Sequence, residues 1–524
     1  MRAAALAGAV AAAVALALYA YRIGDAPPYV GLDEAHFANH AYSIATTGRD
    51  LSGNRLPLFI ALEDPLGDKP SLPWGTTWYH PLGFYLIASV LTVAPLTEWA
   101  IRLPFAIAGV LNVVLIYLVV RRWHGHRMAA AGAALLLAMT PAHFILGRLA
   151  LDYLLPLPFI LLWLYCLAGL LREPSRIRAA CAGLVLGAGC FSYVSSWLMM
   201  PVYAIVTAAA LCVRGRRGVV ALAVGFMLPI ALLAPWVAFH PEMPGNIIAQ
   251  YQAGEGRRSM FTAVASGSGV TAAARDAVAA YWSYFDPSFL LVYGGSSRLV
   301  STGAVGVWPI GLVVLLAAGL MRIVRQGWTA WHAILLAGFF LAPLPAALKG
   351  EPFAIQRAVA LLPFGALIAT EGLVASMEHS SRVVRVAVLV AIASVPLQFS
   401  GFLRDYFGGY QPSAARALDP TAFRETASIL VSALEHGGVE QVALTTPLYD
   451  VSAKWRFYCT KNGREDLLSR TRYFGGDVAE LNDVPAGSFA VVESAAFAPR
   501  DGWTLVSAPE SLSGERPLTL LRRQ

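Results

Sequence analysis

Gly31-Leu32-Asp33-Glu34-Ala35-His36-Phe37-Ala38-Asn39-His40-Ala41-Tyr42 is the first polar stretch after the first apolar run of the chain. Two adjacent carboxylates and two histidines stand there, at the mouth of a sequence that otherwise belongs in a lipid bilayer. On a helix, Asp33, His36, Phe37 and His40 share one face, and Glu34 points elsewhere because sequence neighbours do not face each other. Asp33 is therefore the candidate for an inward-facing catalytic group, with Glu34 as its support. Taken alone, the stretch better suits a solvated first helical turn, where acids complement the helix dipole.

Working outward, the chain has 524 residues, of which 57% are hydrophobic and only 14% charged. A soluble domain has no use for that composition, and a polytopic membrane protein follows. The net charge of +7 does not point to nucleic acid. The arginines fall in short clusters between apolar runs: Arg121-Arg122 with Arg127, Arg172 with Arg176 and Arg178, Arg214 with Arg216-Arg217, Arg322 with Arg325, and Arg382 with Arg385. Such clusters mark cytoplasmic turns. The five cysteines, Cys166, Cys181, Cys190, Cys212 and Cys459, lack metal-type spacing and read as small core residues. Arg2 and the alanine-rich run to Ala20 fit either a signal peptide or a retained first span, and the length favours the span.

These charges place the N-terminus in the cytoplasm and predict spans near 1–20, 100–120, 129–146, 154–171, 179–197, 198–213, 219–239, 300–320, 329–345, 358–377 and 384–401. The expectation is a polytopic α-helical membrane protein with about eleven transmembrane helices plus juxtamembrane helices. Pro81 to Pro95 is too short to cross and reads as a juxtamembrane helix dipping into the outer leaflet. Residues 21–99 and 241–298 become external loops. After 402 the character changes: Thr421 to Glu435 has helical period, and Val439 to Thr445 and Phe489 to Glu493 read as buried strands. The expected division is a membrane portion at 1–401 and a small extracytoplasmic α/β domain at 402–524. Gly437-Gly438 and Gly475-Gly476 lack nucleotide-binding spacing.

This topology puts Asp33, Glu34, Lys69, His80, Arg148, Asp152, Arg257, Arg258, Asp286, Lys349, Glu351 and Arg357 on the external side, at or just beyond helix ends. A transporter would instead carry ionisable residues in mid-helix along a pathway. In Gly147-Arg148-Leu149-Ala150-Leu151-Asp152-Tyr153 a cation and an acid stand at i and i+4. They form either a surface ion pair of small value or a phosphate-holding arginine beside an orienting acid.

Gly31-Leu32-Asp33-Glu34, Tyr42-Ser43-Ile44-Ala45-Thr46-Thr47-Gly48, Tyr79-His80-Pro81-Leu82, Arg102-Leu103-Pro104 and Gly147 to Asp152 occur in that order. In this the chain resembles the membrane glycosyltransferases of the GT-C fold, in the superfamily of protein O-mannosyltransferases and lipid A aminoarabinose transferases. Tyr284-Phe285-Asp286-Pro287-Ser288 and Gln356-Arg357-Ala358 extend the resemblance. It implies transfer of a sugar from a polyprenyl-phosphate donor to a glycan, lipid or protein acceptor, with inversion, at the external face of a bacterial inner membrane. Asp33 would be the general base, with Glu34 and Asp152 supporting the catalytic site. Lys69, Arg148, Arg257, Arg258 and Arg357 would meet the donor phosphate, and His80, Tyr284 and Asp286 the substrate. The lysine-proline pair at Lys69-Pro70 matches the aminoarabinose group, whereas the position before Pro81 is His80, a departure from the family pattern.

The resemblance requires no cofactor. A divalent metal on Asp33, His36 and His40, spaced i, i+3 and i+7, is the alternative use of those side chains. The runner-up function is a flippase for a lipid or lipid-linked oligosaccharide.

Overall fold

The computed structural model describes residues 2–62, 76–212, 216–252, 259–378, 381–435, 440–445, 451–475, 478–494 and 502–524. The chain divides into two compact units. One comprises Met1–Tyr21, Thr77–Gly83 and Phe105–Asp405, and the other Arg22–Thr76, Phe84–Pro104 and Tyr406–Gln524.

The first unit is helical. Among the described residues of the whole chain, six helical stretches are long and apolar enough to cross a membrane: Glu98–His124, Asp152–Arg172, Gly218–Phe239, Ala330–Lys349, Leu361–Glu378 and Arg382–Tyr406. Shorter apolar helices include Gly8–Ala20, Pro81–Leu91, Arg127–Ala138 and Ser196–Cys212. Several expected spans are broken. The 129–146 run stops at Ala138 and restarts as Pro141–Leu146, because Pro141 has no N–H to continue the ladder yet suits a first helical position. The 179–197 run ends at Gly189. The 300–320 run becomes helical only from Ile310, directly after Pro309. The 241–298 loop contains the helices Met243–Gln252, Met260–Ser266 and Val270–Ser283 and a π-helical turn at Phe289–Tyr293. Pro81–Leu91 has 11 residues, which rise about 16 Å, roughly half of a hydrocarbon core.

Lipid supplies no hydrophobic drive between helices, so close backbone approach through small residues takes its place. Helix Arg176–Gly189 packs on Arg216–Ile230 this way. A Cβ added at Gly183 would lie 2.0 Å from the Leu222 carbonyl oxygen, one at Gly187 2.2 Å from that of Phe226, and one at Gly225 2.0 Å from that of Ala180. Gly183→Ala should therefore destabilise the protein by about 1–3 kcal/mol through forced backbone displacement. Gly245→Ala, whose added Cβ meets nothing within 4 Å, should be neutral or slightly stabilising. Unfolding curves of the two variants in detergent check the difference in sign.

The second unit carries a five-stranded sheet in the order Thr471–Phe474, Val442–Thr445, Phe489–Glu493, Leu518–Arg523, Trp503–Ser507. The first three strands are parallel and the last two pair antiparallel. Ala443, Phe474, Leu481, Val484, Ala490, Val492 and Leu521 form a core on it. The expected helix and two strands are present as Phe423–Glu435, Val442–Thr445 and Phe489–Glu493. Helix Val451–Lys461 packs against helix Leu32–Thr47, where the Asn39 amide donates to the Ala453 carbonyl at 2.8 Å. The first polar stretch of the chain and its tail thus share one folded unit.

Candidate active site

In the second unit, Leu32–Thr47 is a helix because both ends are capped. Gly31 stands at the N-cap and its N–H donates to Glu34 Oε2 at 3.0 Å. At the other end Gly48 takes the left-handed conformation, φ +70°, and its N–H reaches the Ile44 carbonyl at 2.9 Å. Phe37 stacks on Phe84 with centroids 4.1 Å apart, and His40 meets the same ring edge-on at 6.0 Å.

Asp33 and Glu34 have different surroundings. The Glu34 side chain is completely enclosed, and the Arg102 guanidinium grips both its oxygens, Nε to Oε1 at 3.0 Å and Nη2 to Oε2 at 2.9 Å. The same guanidinium donates to the carbonyls of Pro27 and Tyr29, both at 2.7 Å, and of Ile23 at 3.3 Å. One arginine thus ties the start of the helix to the chain that leads into it. A carboxylate engaged on both oxygens and sealed from solvent is a positioning group. Asp33, one residue earlier, is half-buried on the first turn.

His36 and His40 are both buried in the helix face. Among the described residues, no three His, Cys, Asp or Glu side chains group as a metal ion requires. Asp33, His36 and His40 are therefore not assembled as a ligand set.

In the first unit, Arg357 and Lys349 converge on Glu351. Lys349 Nζ lies 2.8 Å from Glu351 Oε1, and Arg357 Nε pairs with Oε2. Burial alone would push the Glu351 carboxyl up, but Arg357 and Lys349 outweigh it and hold the group below the usual carboxylate range. The loop is pinned from beneath by Tyr284, which donates to the Glu351 carbonyl at 2.7 Å and accepts from the Ala354 N–H at 2.9 Å. Phe353 between them is held at φ +58°, with its ring against Phe289 and Tyr293. Tyr284→Phe should cost about 1–3 kcal/mol, because it leaves the Ala354 N–H buried without that acceptor; chemical unfolding in detergent measures it.

Asp286 accepts from the Ser288 N–H at 2.8 Å and its hydroxyl at 2.7 Å, which opens the π-helical turn and holds the carboxyl below its ordinary range. His80 packs edge-on against Trp197 at 5.6 Å, and burial pushes its imidazole down to about 3. It is thus a neutral ring at physiological pH. Arg148 is fully buried and donates to the Tyr19 carbonyl at 2.6 Å, at the end of the first helix, where a cation complements the helix dipole. Asp152 is buried and opens the short turn Asp152–Leu154. Lys69, Arg257 and Arg258 lie outside the described residues.

The structure brings Arg357, Lys349, Glu351 and Tyr284 together, and separately Asp33, Glu34 and Arg102. Arg102 was legible as a motif without a role; the available signal was a lone arginine near the start of an otherwise apolar helix. Glu371 was passed over, although an acid inside the apolar run 358–377 was a signal of the same kind. It is buried within Leu361–Glu378, with His124 Nε2 at 3.0 Å, Arg322 Nε at 3.5 Å and His332 Nε2 at 3.7 Å. His124, Arg322 and His332 come from the ends of their helices, so the cluster ties helix ends together.

Residues 68–239 match the family described as dolichyl-phosphate-mannose-protein mannosyltransferase. The crystal structure of ArnT from Cupriavidus metallidurans bound to undecaprenyl phosphate superposes over 98% of this chain and 97% of its own, with a TM-score of 0.58 at 14% identity. The chain has the GT-C fold. The apo form of the same ArnT shares that GT-C fold with a TM-score of 0.53, at 16% identity and the same coverage of both chains. The Archaeoglobus fulgidus oligosaccharyltransferase, in complex with Zn and sulfate, matches 93% of this chain and 68% of its own, with a TM-score of 0.55 and 12% identity. No curated protein matches the sequence.

Proposed function

We propose that the chain is a glycosyltransferase that moves a sugar from a polyprenyl-phosphate carrier to a glycan, lipid or protein acceptor at the outer face of a bacterial inner membrane. The observation that carries this reading is the GT-C fold over nearly the whole chain, in common with a protein whose structure holds undecaprenyl phosphate.

Asp33 takes the proton from the acceptor nucleophile as it attacks the anomeric carbon, and polyprenyl phosphate leaves from the opposite side, so the configuration inverts. A general base needs a carboxylate within hydrogen-bond reach of that proton. What supports Asp33 in this role is that it is only half-buried, on a helix whose first turn is tied down by Glu34 and Arg102. Charge developing on the leaving phosphate needs fixed cations in a water-poor site. Arg357 and Lys349 fit the role, together with Lys69, Arg257 and Arg258; Arg148 and Asp152 support the site from the turn between two helices. The N-terminus lies in the cytoplasm, and the second unit, with the sheet and the helix that bears Asp33, lies outside the membrane. No step requires a metal.

The test is sugar transfer from labelled polyprenyl-phosphate sugars by the purified chain in lipid. Product of inverted configuration supports the reading. Movement of lipid across the bilayer without release of sugar from any donor would replace it with a flippase.

A further inference from the structure

We infer that Arg424 is a positioning residue for Asp33: from the tail of the chain it fixes the irregular segment that leads into the Asp33 helix. This rests on the reading of Asp33 as the general base.

Ala26-Pro27-Pro28-Tyr29-Val30 runs up to that helix buried and outside any helix or strand. Its carbonyls therefore need partners from other parts of the chain, and two guanidinium groups supply them. Arg102 takes the Pro27 and Tyr29 carbonyls, and Arg424 Nη1 donates to the Pro28 carbonyl at 2.6 Å across 396 positions of sequence. The Arg424 guanidinium also lies over the Tyr29 ring, 4.8 Å from its centroid. The Tyr29 hydroxyl in turn accepts from the Leu512 N–H at 3.1 Å. Three contacts from the tail thus hold Pro28 and Tyr29, just ahead of the turn that bears Asp33.

Arg424 stands on a fixed support. It belongs to the first turn of helix Phe423–Glu435, and Asp419 sets where that helix starts. Asp419 Oδ2 accepts from the Phe423 N–H at 2.8 Å, and Oδ1 from the Thr421 N–H at 3.1 Å and the Thr421 hydroxyl at 2.5 Å. The buried Lys454 ammonium closes this arrangement, 2.8 Å from Oδ1. The Arg424 side chain itself is 32% exposed and pairs with Glu425 at 2.9 Å, an ion pair of the kind that adds little to stability. Its loss costs the fold less than the loss of Arg102, and it leaves the segment to Arg102 and Leu512.

A displaced base loses rate rather than affinity, and a shift of about 1 Å costs on the order of 10²-fold. Sugar transfer from labelled polyprenyl-phosphate sugars, the Kd of undecaprenyl phosphate in nanodiscs and chemical unfolding are measured on five proteins. These are wild type, Arg424→Gln, Arg424→Lys, Asp33→Asn and the double variant Arg424→Gln with Asp33→Asn. Arg424→Gln should lower turnover ~10–10²-fold, with Kd within about twofold of wild type. Arg424→Lys keeps a donor for the Pro28 carbonyl but not the planar group over Tyr29, and should fall between the two. In the Asp33→Asn background Arg424→Gln should have no further effect, because the group it positions is already gone.

Unchanged turnover in Arg424→Gln while Asp33→Asn is impaired would overturn the proposal and leave the base in place. A loss that repeats in full in the Asp33→Asn background, or that matches the unfolded fraction, would make Arg424 a structural contact and overturn it as well. Should Arg424→Gln fail to fold, Arg424→Lys carries the same comparisons. Wild-type turnover in Asp33→Asn would remove the base and the proposal together, and so would absence of transfer by wild type.

Discussion

Asp33→Asn is expected to lower the turnover of sugar transfer by about 10²–10⁴-fold, the range that a positioned general base supplies. The amide is nearly the same shape as the carboxylate and keeps the helical first turn, but it cannot accept the acceptor's proton. Donor affinity should stay within about twofold of wild type, because the proposed phosphate-binding cations stand on other elements. Single-turnover transfer from a labelled polyprenyl-phosphate sugar, set beside the donor Kd for each protein, separates the two quantities. Undiminished turnover would remove Asp33 from the chemistry and transfer the role of base to Asp152.

The second large effect concerns stability. Arg102→Ala should destabilise the second unit by about 3–5 kcal/mol, because Glu34 is left as an uncompensated buried charge. The carbonyls of Pro27 and Tyr29 lose their donor at the same time. Arg102→Lys should recover only part of the loss, since a lysine cannot present the planar fork that spans both Glu34 oxygens. Replacement of both partners by apolar residues, Glu34→Leu with Arg102→Met, should recover the part of the loss due to the buried charge but not the part due to the Pro27 and Tyr29 carbonyls, which still lack a donor. Thermal and chemical unfolding of the four proteins in detergent, followed by a probe in the second unit, gives the comparison. Equal stability of Arg102→Ala and wild type would contradict the latch.

Fold class was legible because it rests on composition and on the length of apolar runs, and a bilayer imposes both on any chain that crosses it. The breaks were less legible. Pro141 and Pro309 sit where an apolar count sees no interruption, yet a missing N–H ends or restarts a helix there. Strands Thr471–Phe474 and Trp503–Ser507 escaped notice as edge strands that carry polar residues, and Leu518–Arg523, inside the sheet, escaped because its two arginines break the apolar run.

In the site, the sequence identified Asp33, Glu34, Arg357 and Tyr284 as worth attention but not what each one touches. Glu34 and Arg102 are 68 positions apart and Tyr284 lies 67 from Glu351, so no local pattern joins them. Residue type alone could not separate Asp33, half-buried, from Glu34, closed around an arginine. Only burial and partner distinguish two neighbouring acids.

The makeup of the second unit bears on the order in which this protein can be completed. Its segments Arg22–Thr76 and Phe84–Pro104 are made early, but Tyr406–Gln524, against which they fold, emerges only after the whole intervening membrane portion. That interval of roughly 300 residues takes on the order of tens of seconds at cellular synthesis rates. Until then the helix bearing Asp33 lacks Ala453 as the acceptor for Asn39 and lacks the packing of Val451–Lys461. A nascent chain can thus have the whole of the Leu32–Thr47 helix and still lack the surface that holds that helix in place.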